Sequence, residues 1–263
     1  MSQLDICVIP ARMGSSRFPN KPLIPILGMP MIGHVALRCK LEPVFSRVVV
    51  ATCDQVVMDY CKSIDVEAIM TSDKHERASD RIQEAVVKIE TKEKIKFNSV
   101  TMVQGDEPMV TPQMLRLAVD GLKKTKSVVL NLKGKIKSKE EFRSPNCVKV
   151  VTDLHSNAIY FSREPIPSPS KFKGEPVSWK QVCVIPFDRD FLDKYSSLKP
   201  TYLEEVESID MNRVLEHGYK VHMVDIEDES YPVDVVEDLV RVEAALKQCP
   251  LVSKYMGKKF TSS

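Results

Sequence analysis

The stretch Pro10–Pro22 reads P-A-R-M-G-S-S-R-F-P-N-K-P and directly follows the apolar run Ile6–Pro10. The run predicts a buried strand, so this basic loop begins where the strand ends. Gly14 and the two serines after it let an anion approach the backbone and offer N–H and hydroxyl donors. The cations of the basic loop are Arg12, Arg17 and Lys21. Clustered charge-assisted donors at the end of a strand predict a polyphosphate site.

The basic loop is not a Walker A loop, because G-x-x-x-x-G-K-[ST] is absent. Its prolines stiffen the path of the chain, so less entropy is lost when a ligand orders it. A solvated basic surface loop is the alternative interpretation on these residues alone.

Size and composition fit one large α/β domain over residues 1–263, with 43% hydrophobic and 28% charged residues. A net charge of +2 gives no electrostatic case for nucleic acid or a membrane surface as partner. The seven cysteines form no C-x-x-C pair, which predicts reduced thiols in a cytoplasmic protein. The start M-S-Q-L-D does not read as a signal peptide, and no apolar run reaches the roughly 20 residues of a membrane span.

Short β-rich runs alternate with segments of helical spacing over most of the chain. Predicted strands are Ile6–Pro10, Arg47–Thr52, Val66–Met70, Ser99–Val103, Ser127–Leu132 and Lys220–Val224. Predicted helices are Pro30–Lys40, Gln55–Ile64, Asp80–Ile89, Pro112–Lys123, Leu203–Glu216 and Val235–Lys247. This alternation predicts a mostly parallel sheet flanked by helices on both faces.

The pattern changes over residues 133–186. Cys147–Thr152 and Asn157–Phe161 predict an antiparallel hairpin, and Pro165–Glu175 is rich in Pro, Ser and Lys. We interpret this region as a smaller inserted β-containing subregion that carries acceptor contacts and a subunit interface.

Open α/β sheets bind ligands beyond the carboxyl ends of their strands. Asp106 follows the strand Ser99–Val103, with Gly105 leaving room for a ligand, and Asp234 precedes the last helix. Mg²⁺ is held by one or two carboxylates plus substrate phosphates and waters, so this pair predicts a magnesium site. For Asp234, a helix N-cap is an equally weighted alternative.

The cluster His75–Arg81 reads H-E-R-A-S-D-R and stands just before a predicted helix. Small polar groups here, together with the Gln104 amide, suit a pyrimidine edge. Ser79 or Asp80 as a simple N-cap is the alternative. The histidines show no zinc-ligand spacing, and no G-x-S-x-G element is present. The chemistry that remains is phosphoryl transfer from a triphosphate to an acceptor oxygen.

The residues resemble the 3-deoxy-manno-octulosonate (Kdo) cytidylyltransferases, or CMP-Kdo synthetases, over nearly the whole chain. The matching blocks are I-P-A-R-M-G-S-S-R-F-P-N-K-P-L at Ile9–Leu23, V-Q-G-D-E-P-M at Val103–Met109, S-P-N-C-V-K-V-V at Ser144–Val151, I-Y-F-S-R at Ile159–Arg163, L-E-E-V-E-S-I-D-M-N-R-V-L-E at Leu203–Glu216 and V-D-V-V-E-D-L at Val233–Leu239.

The resemblance implies a GT-A-like, Rossmann-like nucleotidyltransferase fold, Mg²⁺ as cofactor, CTP as donor, a 3-deoxy-2-keto sugar acid as acceptor, and a homodimer. It implies nucleotide contacts from Arg12, Ser15, Arg17, Lys21, His75, Ser79, Arg81 and Gln104. It implies metal ligation by Asp106 and Asp234, and catalysis by Lys21, Arg12 and Asp106. On the acceptor side it implies Arg163 and Glu207, with Gln181 and Arg77 at positions where this chain departs from the family.

The departures concern the acceptor more than the donor. The family pattern H-x-S-G-T-[DE]-R is H-E-R-A-S-D-R here, and the block H-[IL]-G-[IL]-Y is Q-V-C-V-I at Gln181–Ile185. The His and Tyr expected beside the sugar are therefore absent, and Arg77 and Lys180 suggest a modified or more anionic acid than Kdo.

We therefore expect an enzyme that transfers CMP from CTP to Kdo or a related acid for lipopolysaccharide or surface-glycan biosynthesis. The first alternative is a cytidylyltransferase for an amino-substituted Kdo or a sialic-like acid. A GT-A glycosyltransferase should instead show a D-x-D metal motif and no basic loop of this kind. A catalytically silent nucleotide-binding module should have lost a metal ligand or Lys21, and all of these are present.

Overall fold

The computed structural model describes residues 4–14, 18–174 and 176–256. The chain forms two compact units, Met1–Arg116 with Ser230–Ser263, and Leu117–Glu229. The second unit contains the whole of the segment 133–186. The acceptor-binding and dimerisation roles of that segment stay predictions, as does the view that the chain acts as one nucleotidyltransferase domain.

The first unit opens with a β/α succession. Its elements are β1 (Asp5–Ala11), β2 (Pro25–Ile26), β3 (Met29–Pro30), α1 (Met31–Lys40), β4 (Arg47–Thr52), α2 (Gln55–Ser63), β5 (Glu67–Met70), α3 (Ala78–Glu93), β6 (Ser99–Val103) and α4 (Pro112–Thr125), which continues into the second unit. The second unit holds β7 (Leu130–Lys135), α5 (Lys139–Arg143), β8 (Lys149–Thr152), β9 (Ala158–Ser162), β10 (Trp179–Val182), β11 (Val184–Asp188), α6 (Arg189–Ser197), α7 (Tyr202–Glu207), α8 (Asp210–Glu216) and β12 (His222–Ile226). The chain then returns to the first unit with α9 (Asp238–Gln248) and α10 (Val252–Tyr255).

The strands of the first unit form a parallel sheet in the order β6-β1-β4-β5. β1 is central, and its residues Ile6–Ile9 have no exposed surface. A strand buried on both faces is apolar without alternation, which explains the run I-C-V-I. The predicted parallel sheet is thereby confirmed, and the carboxyl ends of β1, β4 and β6 share one edge.

The second unit is built on a mixed sheet in the order β12-β7-β10-β8-β9. Only the β12–β7 pair is parallel, and the other three pairs are antiparallel. The predicted hairpin is confirmed as the β8–β9 pair, in which Val150 lies opposite Phe161.

The structure differs from the sequence analysis at several elements of the second unit. The strand predicted over Lys220–Val224 is His222–Ile226. The segment Leu203–Glu216 is two helices rather than one, because Ser208 takes a left-handed conformation (φ 54°) that ends α7. β7 begins at Leu130 rather than Ser127. The strands β10 and β11 were missed, because they are separated by a single residue, Cys183, without a Gly or Pro turn signal.

A buried polar cluster joins α1 to the C-terminal residues of the first unit. Nε2 of His34 lies 2.8 Å from the carbonyl oxygen of Ile26, and Nδ1 lies 2.8 Å from the hydroxyl of Tyr255. Because a carbonyl only accepts, the network assigns the proton to Nε2 and makes Nδ1 the acceptor for Tyr255. Burial of the imidazole lowers the pKa of His34 to about 4.

This pKa predicts acid sensitivity. In the unfolded chain His34 has an ordinary histidine pKa of about 6.5. Between pH 6.5 and 4 this side chain therefore binds more protons in the unfolded chain than in the folded protein. The stability contributed by neutral His34 is therefore present above pH 6.5 and lost as pH falls towards 4. Between pH 7 and 5 we expect this group to account for a loss of about 2 kcal/mol in the free energy of unfolding.

Urea unfolding gives the free energy of unfolding of the parent and of His34→Gln at pH 7 and pH 5. The change between the two pH values should be larger in the parent by the amount that His34 contributes. The exposed His155 supplies the control, since His155→Gln should keep the parental change. A His34→Gln change equal to the parental one would contradict the assignment.

Candidate active site

Three charged side chains from distant parts of the chain meet at the carboxyl edge of the parallel sheet. Nζ of Lys21 lies 2.7 Å from Oδ2 of Asp106 and 3.8 Å from Oδ1 of Asp234. Lys21 lies at the end of the basic loop, where it begins a single 3₁₀ turn, and Asp106 follows β6. The side chains are 13%, 19% and 16% exposed, so a ligand can reach a site that is partly shielded from water. Lys21 thus lies beside both carboxylates that were predicted to hold Mg²⁺, and their metal role stays a prediction.

Backbone contacts explain why these segments meet. The N–H of Val233 donates to the carbonyl oxygen of Asp106 at 3.0 Å, which fixes Asp234 beside the turn that carries Asp106. Gly105 allows that turn to lie against the end of β1, because a Cβ atom there would stand 2.9 Å from the carbonyl oxygen of Pro10. Since the obstacle is backbone, any larger residue would displace the turn.

Asp234 is not the N-cap of α9, the helix that follows it, because Glu237 takes that position. The N-cap alternative is therefore wrong. The helix α9 begins at Asp238, whose Oδ2 accepts the N–H groups of Asp234 at 2.8 Å and Val235 at 3.0 Å. The carboxylate of Asp238 therefore satisfies the backbone of this turn and leaves the carboxylate of Asp234 directed at Lys21.

The described parts of the basic loop are tied down on both sides. The N–H of Met13 donates to Oδ2 of Asp54 at 2.8 Å, and the N–H of Asn20 donates to the carbonyl oxygen of Met13 at 3.3 Å. Phe18 is only 5% exposed, in an apolar cluster that includes Val233. Arg12 is exposed. Ser15 and Arg17 lie outside the described residues, so their predicted phosphate contacts stay predictions.

Hydrogen bonds from Arg81 hold the segment His75–Arg81 and the residues just before it in place. Arg81 is 2% exposed, and its guanidinium donates to Oγ1 of Thr71 at 2.7 Å and to the carbonyl oxygens of Ser72 and His75 at 3.2 and 3.3 Å. α3 begins at Ala78 with Arg77 at its N-cap, so the N-cap alternative for Ser79 or Asp80 is wrong. These bonds make Arg81 a support of the loop, and the base contacts of the cluster stay predictions.

The imidazole of His75 contacts the carboxylate of Glu84. Burial alone would raise the pKa of Glu84, but hydrogen bonds from Lys88, the N–H of Ser72 and His75 outweigh it and lower the pKa to about 2. Ser79 is fully buried, whereas Gln104, directly after β6, is half-buried. Among the residues predicted to contact the base, Gln104 is the closest in sequence to Asp106.

In the second unit, the predicted acceptor residues Arg163 and Glu207 bind each other. Oε2 of Glu207 accepts the N–H of Arg163 at 2.8 Å, and Oε1 accepts the hydroxyls of Tyr160 and Ser162 at 2.7 Å each. Burial opposes ionisation of Glu207, yet these donors hold its pKa below the ordinary value. Burial and the neighbouring carboxylate raise the pKa of Tyr160 to about 12. The carboxylate of Glu207 is therefore a preorganised anion, and the positive charge of Arg163 beside it leaves the pair without net charge. The acceptor contacts of both residues stay predictions.

Gln181 is held by an amide network. Nδ2 of the fully buried Asn131 donates to the carbonyl oxygens of Leu132 and Val182, so its Oδ1 faces Nε2 of Gln181, at 2.6 Å. Lys180 is buried and ion-paired with Glu141, which removes it as a source of unbalanced positive charge for a more anionic acceptor. Arg77 is half-buried at the start of α3.

The residues fit a hard divalent cation. Asp106 and Asp234 present carboxylate oxygens that already share one cationic partner, the ammonium group of Lys21. Within the part of the chain that the structure describes, no group of three or more His, Cys, Asp or Glu side chains gathers as a closed metal site. Two carboxylates plus phosphate oxygens and waters is the donor set that suits Mg²⁺.

Sequence reasoning missed the residues that support this site. Asp54 stands at the end of β4, in the position that drew attention to Asp106 after β6, so the same strand-end rule could have found it. Asp238 acts through local bonds to the N–H groups of Asp234 and Val235. The contact between Glu107 and Ser230 joins remote segments, and no local pattern indicates it.

Two further findings lie outside the site. Among the described helices, none combines the length and apolar character that a bilayer crossing requires. None of the seven cysteines forms a disulfide.

Comparison with known proteins bears on the identity of the chain. A family model described as cytidylyltransferase matches residues 6–226. The 3-deoxy-manno-octulosonate cytidylyltransferase of Geotalea uraniireducens is 37% identical over 252 residues, covering 92% of this chain and 98% of the relative. A solved structure of a CMP:2-keto-3-deoxy-manno-octonic acid synthetase complexed with CTP is 34% identical, with a TM-score of 0.82, and the match covers 94% of this chain and 99% of that one.

A putative glucose-1-phosphate thymidylyltransferase from Bacillus anthracis has a TM-score of 0.69 at 17% identity, over 97% of this chain and 98% of that chain. At that identity the likeness concerns the fold alone, and it agrees with the predicted nucleotidyltransferase fold. Together with the matched residues and the high identity, these comparisons show that the chain belongs to the 3-deoxy-manno-octulosonate cytidylyltransferase family.

Proposed function

We propose that the protein transfers CMP from CTP to Kdo or a closely related 3-deoxy-2-keto sugar acid, releasing pyrophosphate, for lipopolysaccharide or surface-glycan biosynthesis. The observation that carries the proposal is the meeting of Lys21, Asp106 and Asp234 at the end of the basic loop. The names of the relatives, and the complex of the 34% identical synthetase with CTP, support the choice of donor and acceptor.

In the proposed reaction the anomeric hydroxyl of the acid attacks the α-phosphorus of CTP. A new P–O bond forms as the bond from the α-phosphorus to the bridging oxygen breaks, the hydroxyl proton goes to solvent, and pyrophosphate leaves. Lys21, Arg12 and Arg17 bind the triphosphate and stabilise the charge that develops on the leaving group. These residues act by positioning and electrostatics, since no nucleophilic side chain is required.

Asp106 and Asp234 are the proposed ligands of Mg²⁺. The ion, when bound, would offset charge on the phosphate oxygens and help to orient the reacting groups. Because Lys21 pairs with the same carboxylates, its ammonium group draws them towards one another, and it lies within reach of a phosphate bound there.

The acceptor is proposed as Kdo or a close analogue. The positive charge of Lys180 is balanced by Glu141. Of the two cations that suggested a more anionic acid, only Arg77 still supports that suggestion. Gln181 stands where the family pattern has His, and an amide offers different hydrogen-bonding groups from an imidazole. An amino-substituted Kdo or a sialic-like acid remains the second candidate on that observation.

Homodimerisation and a cytoplasmic location are also proposals. The resemblance to the family supports the first, and the second unit exposes the large apolar residues Ile159, Tyr202 and Val206. Free thiols at all seven cysteines are compatible with a reducing compartment.

A pyrophosphate-release screen tests the proposed reaction. CTP, UTP, ATP and dTTP are each incubated with a panel of keto-sugar acids and Mg²⁺. We expect release with CTP, and the highest kcat/KM with Kdo. A higher value with an amino-substituted or sialic-like acid would select the second candidate, and release with none of the acids would contradict the proposed function.

Substitutions at the charge cluster test the residue roles. Lys21→Ala and Asp106→Asn each remove one electrostatic contact to the reacting groups, so we expect kcat/KM to fall roughly a hundredfold, on the order of 3 kcal/mol. The surface ion pair Lys40–Asp65 provides matched controls. Lys40→Ala and Asp65→Asn make the same chemical changes and should leave turnover within twofold. If Asp106→Asn turned over at the parental rate, Asp106 would have no role in the active site.

A further inference from the structure

A buried hydrogen bond joins the two segments that carry the proposed metal ligands. The hydroxyl of Ser230 donates to Oε2 of Glu107 at 2.6 Å, and both residues are only 2% exposed. Glu107 follows Asp106 in the chain, and Ser230 stands four residues before Asp234. Neither Glu107 nor Ser230 is among the groups assigned above to nucleotide, metal or acceptor.

A second hydrogen bond joins the same two segments. It is the backbone bond from the N–H of Val233 to the carbonyl oxygen of Asp106, at 3.0 Å. One hydrogen bond would leave the segments free to pivot, whereas two fix both their separation and their relative rotation. Asp238 completes the support by accepting the N–H groups of Asp234 and Val235.

A carboxylate is costly to bury, and a buried one is retained where hydrogen bonds satisfy it. Glu107 is buried at the turn that carries Asp106, and its acceptor oxygen holds the segment that carries Asp234. A polar contact of this kind orients metal ligands without touching the metal, and loss of such a contact typically weakens metal binding by roughly 10- to 100-fold.

From this geometry we infer that Glu107 and Ser230 are positioning residues, which hold Asp106 and Asp234 at the separation that lets both bind one divalent cation. The inference rests on the proposed function, because it takes these two aspartates as the metal ligands. It predicts that removing the Ser230 hydroxyl lowers the affinity for the cation, whereas removing a similar buried hydroxyl elsewhere in the unit lowers only the stability of the fold.

The same unit contains a matched contact at the opposite edge of the sheet. The hydroxyl of Ser99 donates to Oδ1 of Asp5 at 2.7 Å, and the two residues are 4% and 1% exposed. They begin β6 and β1, whereas Asp106 follows the end of β6. Ser99→Ala therefore removes a buried serine–carboxylate bond of the same chemistry away from the proposed metal site.

The test measures binding of Mn²⁺ to the CTP complex without acceptor, by electron paramagnetic resonance of the free ion. We expect Ser230→Ala to raise the dissociation constant of Mn²⁺ by about tenfold or more and Ser99→Ala to leave it within about twofold. Both should lower the thermal midpoint by similar amounts. Ser230→Thr, which keeps the hydroxyl, should restore parental affinity for Mn²⁺.

Equal Mn²⁺ affinities of Ser230→Ala and the parent would overturn the inference, and so would equal weakening by Ser230→Ala and Ser99→Ala. A parent protein that binds no Mn²⁺ with CTP would overturn both the inference and the metal role proposed above. A parent that turns over no keto-sugar acid, while Ser230→Ala alone weakens Mn²⁺ binding, would contradict the proposed acceptor and leave the inference supported.

Discussion

Repulsion between two carboxylates is the constraint on which the site depends. Asp106 and Asp234 are remote in sequence, partly buried and directed at the same point, so their like charges oppose the fold unless a cation stands between them. Lys21 supplies that cation from a third segment. The three groups therefore stabilise one another electrostatically, and the same balance of charge makes the site receptive to a metal–triphosphate pair.

The framework behind this cluster is apolar and backbone-based. Residues Ile6–Ile9 of β1 are fully buried at the centre of the parallel sheet, which fixes the start of the basic loop. Gly105 brings the Asp106 turn close to the end of β1, and the bond from Val233 brings Asp234 to the same place. Phe18 and Val233 share one apolar cluster, so the end of the basic loop and the Asp234 segment pack on a common base.

The parallel sheet of the first unit was predictable because its strands are short, apolar runs separated by helices of clear period. β4 and β6 have the predicted bounds, since β-branched residues dominate both and polar residues end them. Strand-end reasoning also located Asp106, Lys21 and Asp234. In contrast, the break at Ser208 arises from a left-handed residue in a sequence that keeps helical spacing. The supports Glu107 and Ser230 were unpredictable for another reason, because each is defined by a partner that is remote in sequence.

The central claim is that Asp106 and Asp234 bind one cation beside the triphosphate of CTP. Crystals of the protein grown with CTP and Mn²⁺ would show the ion directly by anomalous diffraction. The account predicts a single strong peak within about 2.3 Å of carboxylate oxygens from both aspartates and of a phosphate oxygen, the short coordination range of such hard cations. A peak bound by only one of the two aspartates, or by neither, would contradict it.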